Sequence, residues 1–336
     1  MTVVGPFGLS VRDQALEADV QAGLAAVEEG LLEATKSEVP FITEAAQHLV
    51  RAGGKRFRPL LVMLAAQFGD PYAPGVVPSA VVVELTHLAT LYHDDVMDEA
   101  AVRRGVESAN TRWGNSVAVL TGDFLFARAS HTLADLGPEA VRVQAEAFER
   151  LVTGQILETA GPQDGRDPVE HYLDVLSGKT GSLVAVSCRF GAMMSGADET
   201  VVDVLTQYGE RLGVAFQLAD DVLDIASDSH ESGKTPGTDL REGIPTLPVL
   251  RLRERAARLG LAEDIALCEL LDSDLTDDAR HAEALAALRV HPALEQARAD
   301  TVRYAKDARA ALAPLRECDA RAALMELCDA VVHRAG

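Results

Sequence analysis

Two aspartate clusters in this chain share one pattern, Asp-Asp-x-x-Asp: DDVMD at Asp94–Asp98 and DDVLD at Asp220–Asp224. Both fall in apolar stretches with helical period, where residues i and i+4 share a face. Asp94 then projects beside Asp98, and Asp220 beside Asp224. Like charges at that spacing destabilise a helix by about 0.2–0.5 kcal/mol per pair, and Asp is a mediocre helix former. The residues before the clusters (Leu85, Leu88, Leu91; Val214, Phe216, Leu218) are core-like, so carboxylates gather at the edge of an apolar wall. Hard oxygen ligands there suit Mg²⁺, which keeps several waters and binds through one or two carboxylates plus substrate phosphates. One such cluster alone reads most simply as a solvated acidic helix end. Two matching clusters, each on an apolar helix, point to metal-assisted chemistry on a diphosphate ester.

The 336 residues carry a formal charge of −21. So acidic a chain repels nucleic-acid phosphates, which excludes a nucleic-acid binder. It also repels an anionic small substrate unless metal ions or a local basic patch intervene. The segment GGKRFRP supplies such a patch: Lys55, Arg56 and Arg58 follow a Gly-Gly helix stop, where backbone N–H groups and guanidinium forks suit a diphosphate. Arg103 and Arg104 follow DDVMD within two turns. Lys179 and Lys234 each sit in a Gly-Lys-Thr triplet. A P-loop needs a glycine five residues before the triplet; Leu173 and Asp228 stand there, and no strand precedes either. His87 lies on the helix leading to DDVMD, where a lone histidine is most simply a packed or surface residue. No Ser-His-Asp or Cys-His arrangement can be read from spacing.

These residues need elements to hold them. The composition is 48% apolar and only 4% aromatic, and its Ala, Leu and Val suit packed helices better than sheets. Helical period runs through 11–35, 39–52, 57–69, 78–99, 109–132, 138–160, 168–177, 180–195, 198–226 and 245–257. Residues 227–239 read as a loop, and 261–336 as further Ala/Leu-rich helices. No convincing period-2 strand appears. The expectation is an all-α domain spanning 1–336, with no linker dividing it. Its motif-bearing core covers about 40–260. The four cysteines form no C-x-x-C pair, no signal peptide opens the chain, and no apolar run reaches membrane length. A cytoplasmic protein is expected.

In combination, GGKRFRP, ELTHLATLYHDDVMDEAAVRRG, SGKTGSL, FQLADDVLD and GKTPGTDLREGIPTLP resemble the trans-isoprenyl diphosphate synthase (polyprenyl synthetase) family, in the family's order over residues 53–250. The resemblance implies an antiparallel all-α array around a central cavity, usually homodimeric. It implies three Mg²⁺ ions held by Asp94, Asp98, Asp220, Asp221 and Asp224 on the diphosphate of an allylic substrate. Asp95 belongs on the substrate side. Arg103, Lys179 and Lys234 would stabilise the departing pyrophosphate, and Thr180, the Lys179 carbonyl and Gln217 would face the allylic cation or its diphosphate. Lys55, Arg58, His87 and Arg104 would hold isopentenyl diphosphate, and closure of 227–239 would exclude water. One departure is Ile244, where the family often has lysine.

Product length follows, by the same resemblance, from the helix before DDVMD. Bulky residues four and five positions ahead of the first aspartate stop elongation early in the family; here they are Thr90 and Ala89, with Thr86, Val82 and Val83 deeper. Each helical turn rises about 5.4 Å, close to one isoprene unit, so a product of about six or more units is expected. Phe124 or Phe126 is a candidate floor, and a farnesyl or geranylgeranyl product is the alternative. Two rivals remain. A class I terpene cyclase usually lacks a second Asp-Asp-x-x-Asp and needs no GGKRFRP clamp. A non-catalytic subunit of a heteromeric synthase usually loses an aspartate cluster.

Overall fold

The computed structural model describes residues 2–4, 9–11, 14–163, 165–227 and 236–335. In chain order the helices are α1 (Gln14–Ala34), α2 (Pro40–Arg51), α3 (Phe57–Ala66), α4 (Val76–Met97), α5 (Ala109–Trp113), α6 (Asn115–Leu136), α7 (Pro138–Ala160) and α8 (Pro168–Leu176). A π-helical turn, Ser177–Gly181, follows. Then come α9 (Ser182–Met194), α10 (Glu199–Ala226), α11 (Thr238–Arg241), α12 (Leu247–Leu259), α13 (Ala262–Leu271), α14 (Asp278–Arg289), α15 (Pro292–Ala311) and α16 (Asp319–Ala335). Proline opens α2, α7, α8 and α15, where its missing N–H has no helical partner to lose.

The all-α expectation holds, with three local differences. Two short antiparallel ladders occur, β1 (Thr2–Val4) with β2 (Leu9–Val11), and β3 (Val102–Arg103) with β4 (Val106–Glu107). The stretch read as one helix over 109–132 breaks at Gly114, whose φ of 85° favours glycine. The helix expected from residue 180 begins instead as the π turn. Among the described residues no helix is long and apolar enough to cross a membrane.

The chain forms two compact units. The first comprises Met1–Glu149, Leu183–Gly209 and Ala311–Glu326; the second comprises Arg150–Ser182, Glu210–Ala310 and Leu327–Gly336. In the first unit, α4 packs against α1, α3 and α6. It is buried nearly all round, through Val82, Val83, Leu85, Leu88, Ala89 and Tyr92, as a central helix must be. The Tyr92 hydroxyl donates to the Ala45 carbonyl at 2.6 Å and so ties α4 to α2.

The second unit buries Leu218, Val222, Ile225, Leu252 and Leu288. At its edge Asp264, with no exposed surface, pairs with Arg255 Nε and His291 Nε2, each at 3.0 Å. Removing one partner from a buried ion pair leaves an uncompensated charge. Asp264→Ala is therefore expected to lower the unfolding free energy by about 3 kcal/mol, measured by urea denaturation. A shift within error would show that the trio contributes nothing to stability.

Candidate active site

The first cluster closes α4. Asp94 and Asp95 lie in its last turn, Asp98 is the C-cap, and no basic residue occupies that turn. A helix C-terminus already carries partial negative charge, so three carboxylates there call for an external cation. Their roles divide by helical angle. Asp95 is fully buried and its Oδ1 accepts from Arg103 Nε at 2.6 Å. Its Oδ2 is buried without a hydrogen-bond partner. Burial raises its pKa, against the pull of Arg103. Asp94 is half-buried, whereas Asp98 is 63% exposed.

The β3–β4 hairpin sets the two arginines apart. Arg104 and Gly105 both have positive φ, 53° and 78°, the requirement of a tight two-residue turn. Arg103 returns to Asp95. Arg104 Nη1 donates to the Leu49 carbonyl at 3.2 Å and to the Gly53 carbonyl. Gly54 has φ 152°, a backbone that favours glycine, and a Cβ there would lie 2.8 Å from the Arg104 guanidinium carbon and displace it. The hairpin is further tied to α2 by His48 Nε2, 2.7 Å from the Glu107 carbonyl.

The GGKRFRP segment differs from expectation in one residue. Arg56, with φ 47°, turns inward to Glu28 and Glu84 and is no surface clamp. Lys55 is exposed. Arg58 Nε is buried without a hydrogen-bond partner. Burial lowers the Arg58 pKa to about 10; Arg104 acts in the same direction and Glu84 against it. Burial, then the charges of Arg58 and Arg104, hold His87 well below the usual imidazole range, so His87 is neutral. Arg58, His87 and Arg104 thus act on one another within one unit.

The wall residues lie on the same helix. Ala89 is fully buried and α6 approaches its carbonyl closely at Gly122. The Thr90 hydroxyl donates to the His87 carbonyl at 2.8 Å. Thr86 donates to the Val82 carbonyl and accepts from Gln144 Nε2, both at 2.9 Å. Phe126 packs at a tilt between His93 and Phe148, with ring centroids 5.8 and 4.5 Å away.

The second cluster closes α10, again without a basic residue in the last turn. Asp220 Oδ1 accepts from Arg334 Nη2 at 2.6 Å. Asp221, 2% exposed, accepts from the Tyr172 hydroxyl on Oδ2 and from Gln217 Nε2 on Oδ1 at 3.5 Å. Asp224 accepts from the backbone N–H groups of Thr238 and Asp239, each at 3.2 Å. Gln217 also accepts from the Thr180 hydroxyl at 3.5 Å, so Thr180, Gln217 and Asp221 form one chain. Lys179 Nζ pairs with Glu158 at 2.6 Å. The π turn bearing Lys179 and Thr180 lies so near α7 that a Cβ at Gly154 would come within 2.6 Å of the Lys179 nitrogen. Lys234 and most of the 227–239 loop lie outside the described residues.

Spacing alone did not reveal Tyr172, Glu158, Arg334 or Glu84. Tyr172 precedes Lys179 by two turns, a faint signal; the other three meet their partners only through tertiary packing. Among the described residues no three His, Cys, Asp or Glu side chains converge in metal-ligating geometry. Each helix end instead supplies hard oxygens singly or in pairs. That donor set fits Mg²⁺ completed by water and phosphate.

An all-α chain with two acidic helix ends and a buried arginine group defines an enzyme acting on diphosphates. Its residues 39–288 match the polyprenyl synthetase family, and the chain belongs to that family of trans-prenyltransferases. It is 47% identical to a nonaprenyl diphosphate synthase of Mycobacterium tuberculosis, over 98% of this chain and 97% of that protein. A geranylgeranyl pyrophosphate synthase of Corynebacterium glutamicum, solved with calcium and isoprenyl diphosphate, superposes with TM-score 0.87 at 43% identity, covering 97% and 99% of the two chains. A decaprenyl diphosphate synthase of Rhodobacter capsulatus superposes with TM-score 0.85 at 36% identity, covering 96% and 99%.

Asp221 carries a testable pH dependence. Burial, more than the charges of Asp239 and Asp220, pushes its pKa up to about 8 against the bonds from Tyr172 and Gln217. The folded chain thus holds this proton more tightly than the unfolded chain. Its contribution to stability is full below the unfolded pKa of about 4 and is lost as pH rises toward 8. With metal chelated, Asp221→Asn is expected to flatten the fall in melting temperature between about pH 5 and 8. An unchanged slope would mean that Asp221 is already ionised in the folded chain.

Proposed function

We propose that this chain condenses isopentenyl diphosphate with an allylic prenyl diphosphate to give a linear all-trans polyprenyl diphosphate. The observation that carries the reading is the pair of helix ends, each with three aspartates and no basic residue in its last turn. Asp94, Asp98, Asp220 and Asp224, with Asp221 behind them, are the proposed ligands for three Mg²⁺ ions. When bound, the metal supplies Lewis-acid stabilisation of negative charge on the diphosphate.

The protein's own groups do the rest. The allylic C–O bond breaks and both electrons leave on pyrophosphate. Arg103 (oriented through Asp95) and Lys179, exchanged from Glu158, stabilise that charge together with Lys234. Thr180 donates its proton to Gln217, so its lone pairs and the Lys179 carbonyl can face the allylic cation. Lys55, Arg58 and Arg104 hold isopentenyl diphosphate, and neutral His87 adds a hydrogen bond without charge. The isopentenyl double bond attacks the allylic carbon, and the proton then lost passes to pyrophosphate. Ile244 is exposed where the family often has lysine; one basic group is thereby missing, while Lys234 and both aspartate clusters remain.

We infer one domain, because all the boundaries between the two units fall inside helices, in α7, α9, α10, α15 and α16. The exposed apolar side chains of Val119 and Leu120 on α6 and Val141 on α7 support a homodimer. The lack of a membrane-length helix among the described residues supports a cytoplasmic enzyme.

The purified chain with Mg²⁺ and both substrates is expected to elongate the allylic primer. Chelation should abolish turnover, and Asp94→Ala should lower kcat by at least about 10²-fold. Cyclic hydrocarbon would instead identify a cyclase, and turnover only with an added partner would identify a subunit.

Small side chains at Ala89 and Thr90 support a long product of about six or more units. Ala89→Phe is expected to shorten it to about three or four units, read by chromatography of the dephosphorylated products. An unchanged length in a folded variant would remove this wall from chain-length control.

A further inference from the structure

Glu84 lies on α4, three residues before His87, and is 2% exposed. A carboxylate so deeply buried needs a compensating cation; Glu84 faces three. Its Oε1 accepts from Arg56 Nη1 at 3.0 Å and lies 3.6 Å from Arg104 Nη2. Its charge also acts on Arg58. Arg56 directs its other donors to Glu28 and to the Val50 carbonyl at 3.0 Å, so it offers nothing to a ligand. The Gly53–Gly54 turn, the start of α3 and the turn of the β3–β4 hairpin therefore converge on one buried carboxylate.

Three guanidinium groups packed together repel one another. Without a counter-charge they would splay apart, and an incoming anion would have to order them as it bound. A carboxylate among them balances one charge and fixes two planes, leaving net positive charge for the ligand. Two effects of its removal oppose each other. Loss of the negative charge raises the local potential and favours an anion. Loss of the hydrogen bonds disorders the guanidinium forks that an anion needs in register. The ordering effect wins here, because Arg104 is set by directed bonds to the Leu49 and Gly53 carbonyls and by its ion pair with Glu84, whereas the potential is diluted by solvent at the exposed Lys55.

We propose that Glu84 is the positioning residue of the isopentenyl diphosphate site, fixing Arg104 directly and the Gly53–Arg58 turn through Arg56 before substrate arrives. This rests on reading Lys55, Arg58, His87 and Arg104 as that site.

Steady-state kinetics of Glu84→Gln, varying each substrate separately, test the role. KM for isopentenyl diphosphate is expected to rise about tenfold. The allylic KM and kcat at saturation should stay within about twofold, a split that general loosening of the fold would not give. An unchanged or lowered isopentenyl diphosphate KM would overturn the proposal, as would equal losses for both substrates. Lys55→Ala separates the two layers of the argument. If it fails to raise the isopentenyl diphosphate KM, the site reading falls and takes the role of Glu84 with it. If it raises that KM and Glu84→Gln does not, the site stands and the positioning role is wrong. Should Glu84→Gln not fold, Glu84→Asp is read in its place. A rise of about threefold is expected because the shorter carboxylate reaches Arg104 less well, and an unchanged KM overturns the role.

Discussion

A helix that ends in carboxylates has no internal solution to its own charge. The peptide dipoles of α4 and α10 each place about half a negative charge at the C-terminus, and each helix adds three aspartates there. The chain answers by geometry. The second aspartate of each cluster turns inward and is anchored by a donor, Arg103 for Asp95 and Tyr172 for Asp221. The first and fifth share one face and are more accessible than the second, suited to a cation from outside. At the second helix end Arg334 holds Asp220, and Arg289 caps the Ile225 and Ser227 carbonyls. These guanidiniums offset part of the helix-end charge within the unit itself.

The first unit shows the inverse problem. Arg56, Arg58 and Arg104 concentrate positive charge in a chain of net charge −21. Desolvation lowers the pKa of both Arg58 and Arg104, because burial opposes their charge. Glu84 and Glu28 partly compensate it. Arginine suits this better than lysine because its planar fork serves an internal carboxylate or carbonyl with one edge and keeps another for a ligand. Arg104 uses Nη1 and Nη2 internally, so the residue expected to hold substrate also fastens the hairpin to the Gly53–Gly54 turn.

How much of this was legible depended on whether the cause was local. The aspartate clusters could be read because helical period alone puts i and i+4 on one face. The helix stop at Gly53–Gly54 could be read from glycine chemistry. The inward turn of Arg56 could not, since it follows from a left-handed backbone and from Glu28 and Glu84, each 28 residues away. The π turn at Ser177–Gly181 hid for a similar reason: SGKTG has no helical pattern, and its shape depends on Gly154 letting α7 come close. Arg334 meets Asp220 across 114 residues, a pairing no local rule anticipates.

α4 concentrates these constraints in one rod. Its period of 3.6 residues carries Glu84 and His87 toward the arginine group, Ala89 and His93 toward Gly122 of α6, and Asp94 and Asp98 to its acidic C-terminal end. None of these faces can shift alone, because the helix is rigid and buried nearly all round. A side chain that pushes α4 away from α6 at Ala89 also displaces the carboxylates one turn on and Glu84 one turn back. The packing at Ala89 and the placing of the aspartates and Glu84 are therefore mechanically linked in this protein. Substitutions in the wall have to fit the gap beside Gly122 if the spacing of the charges at either end is to survive.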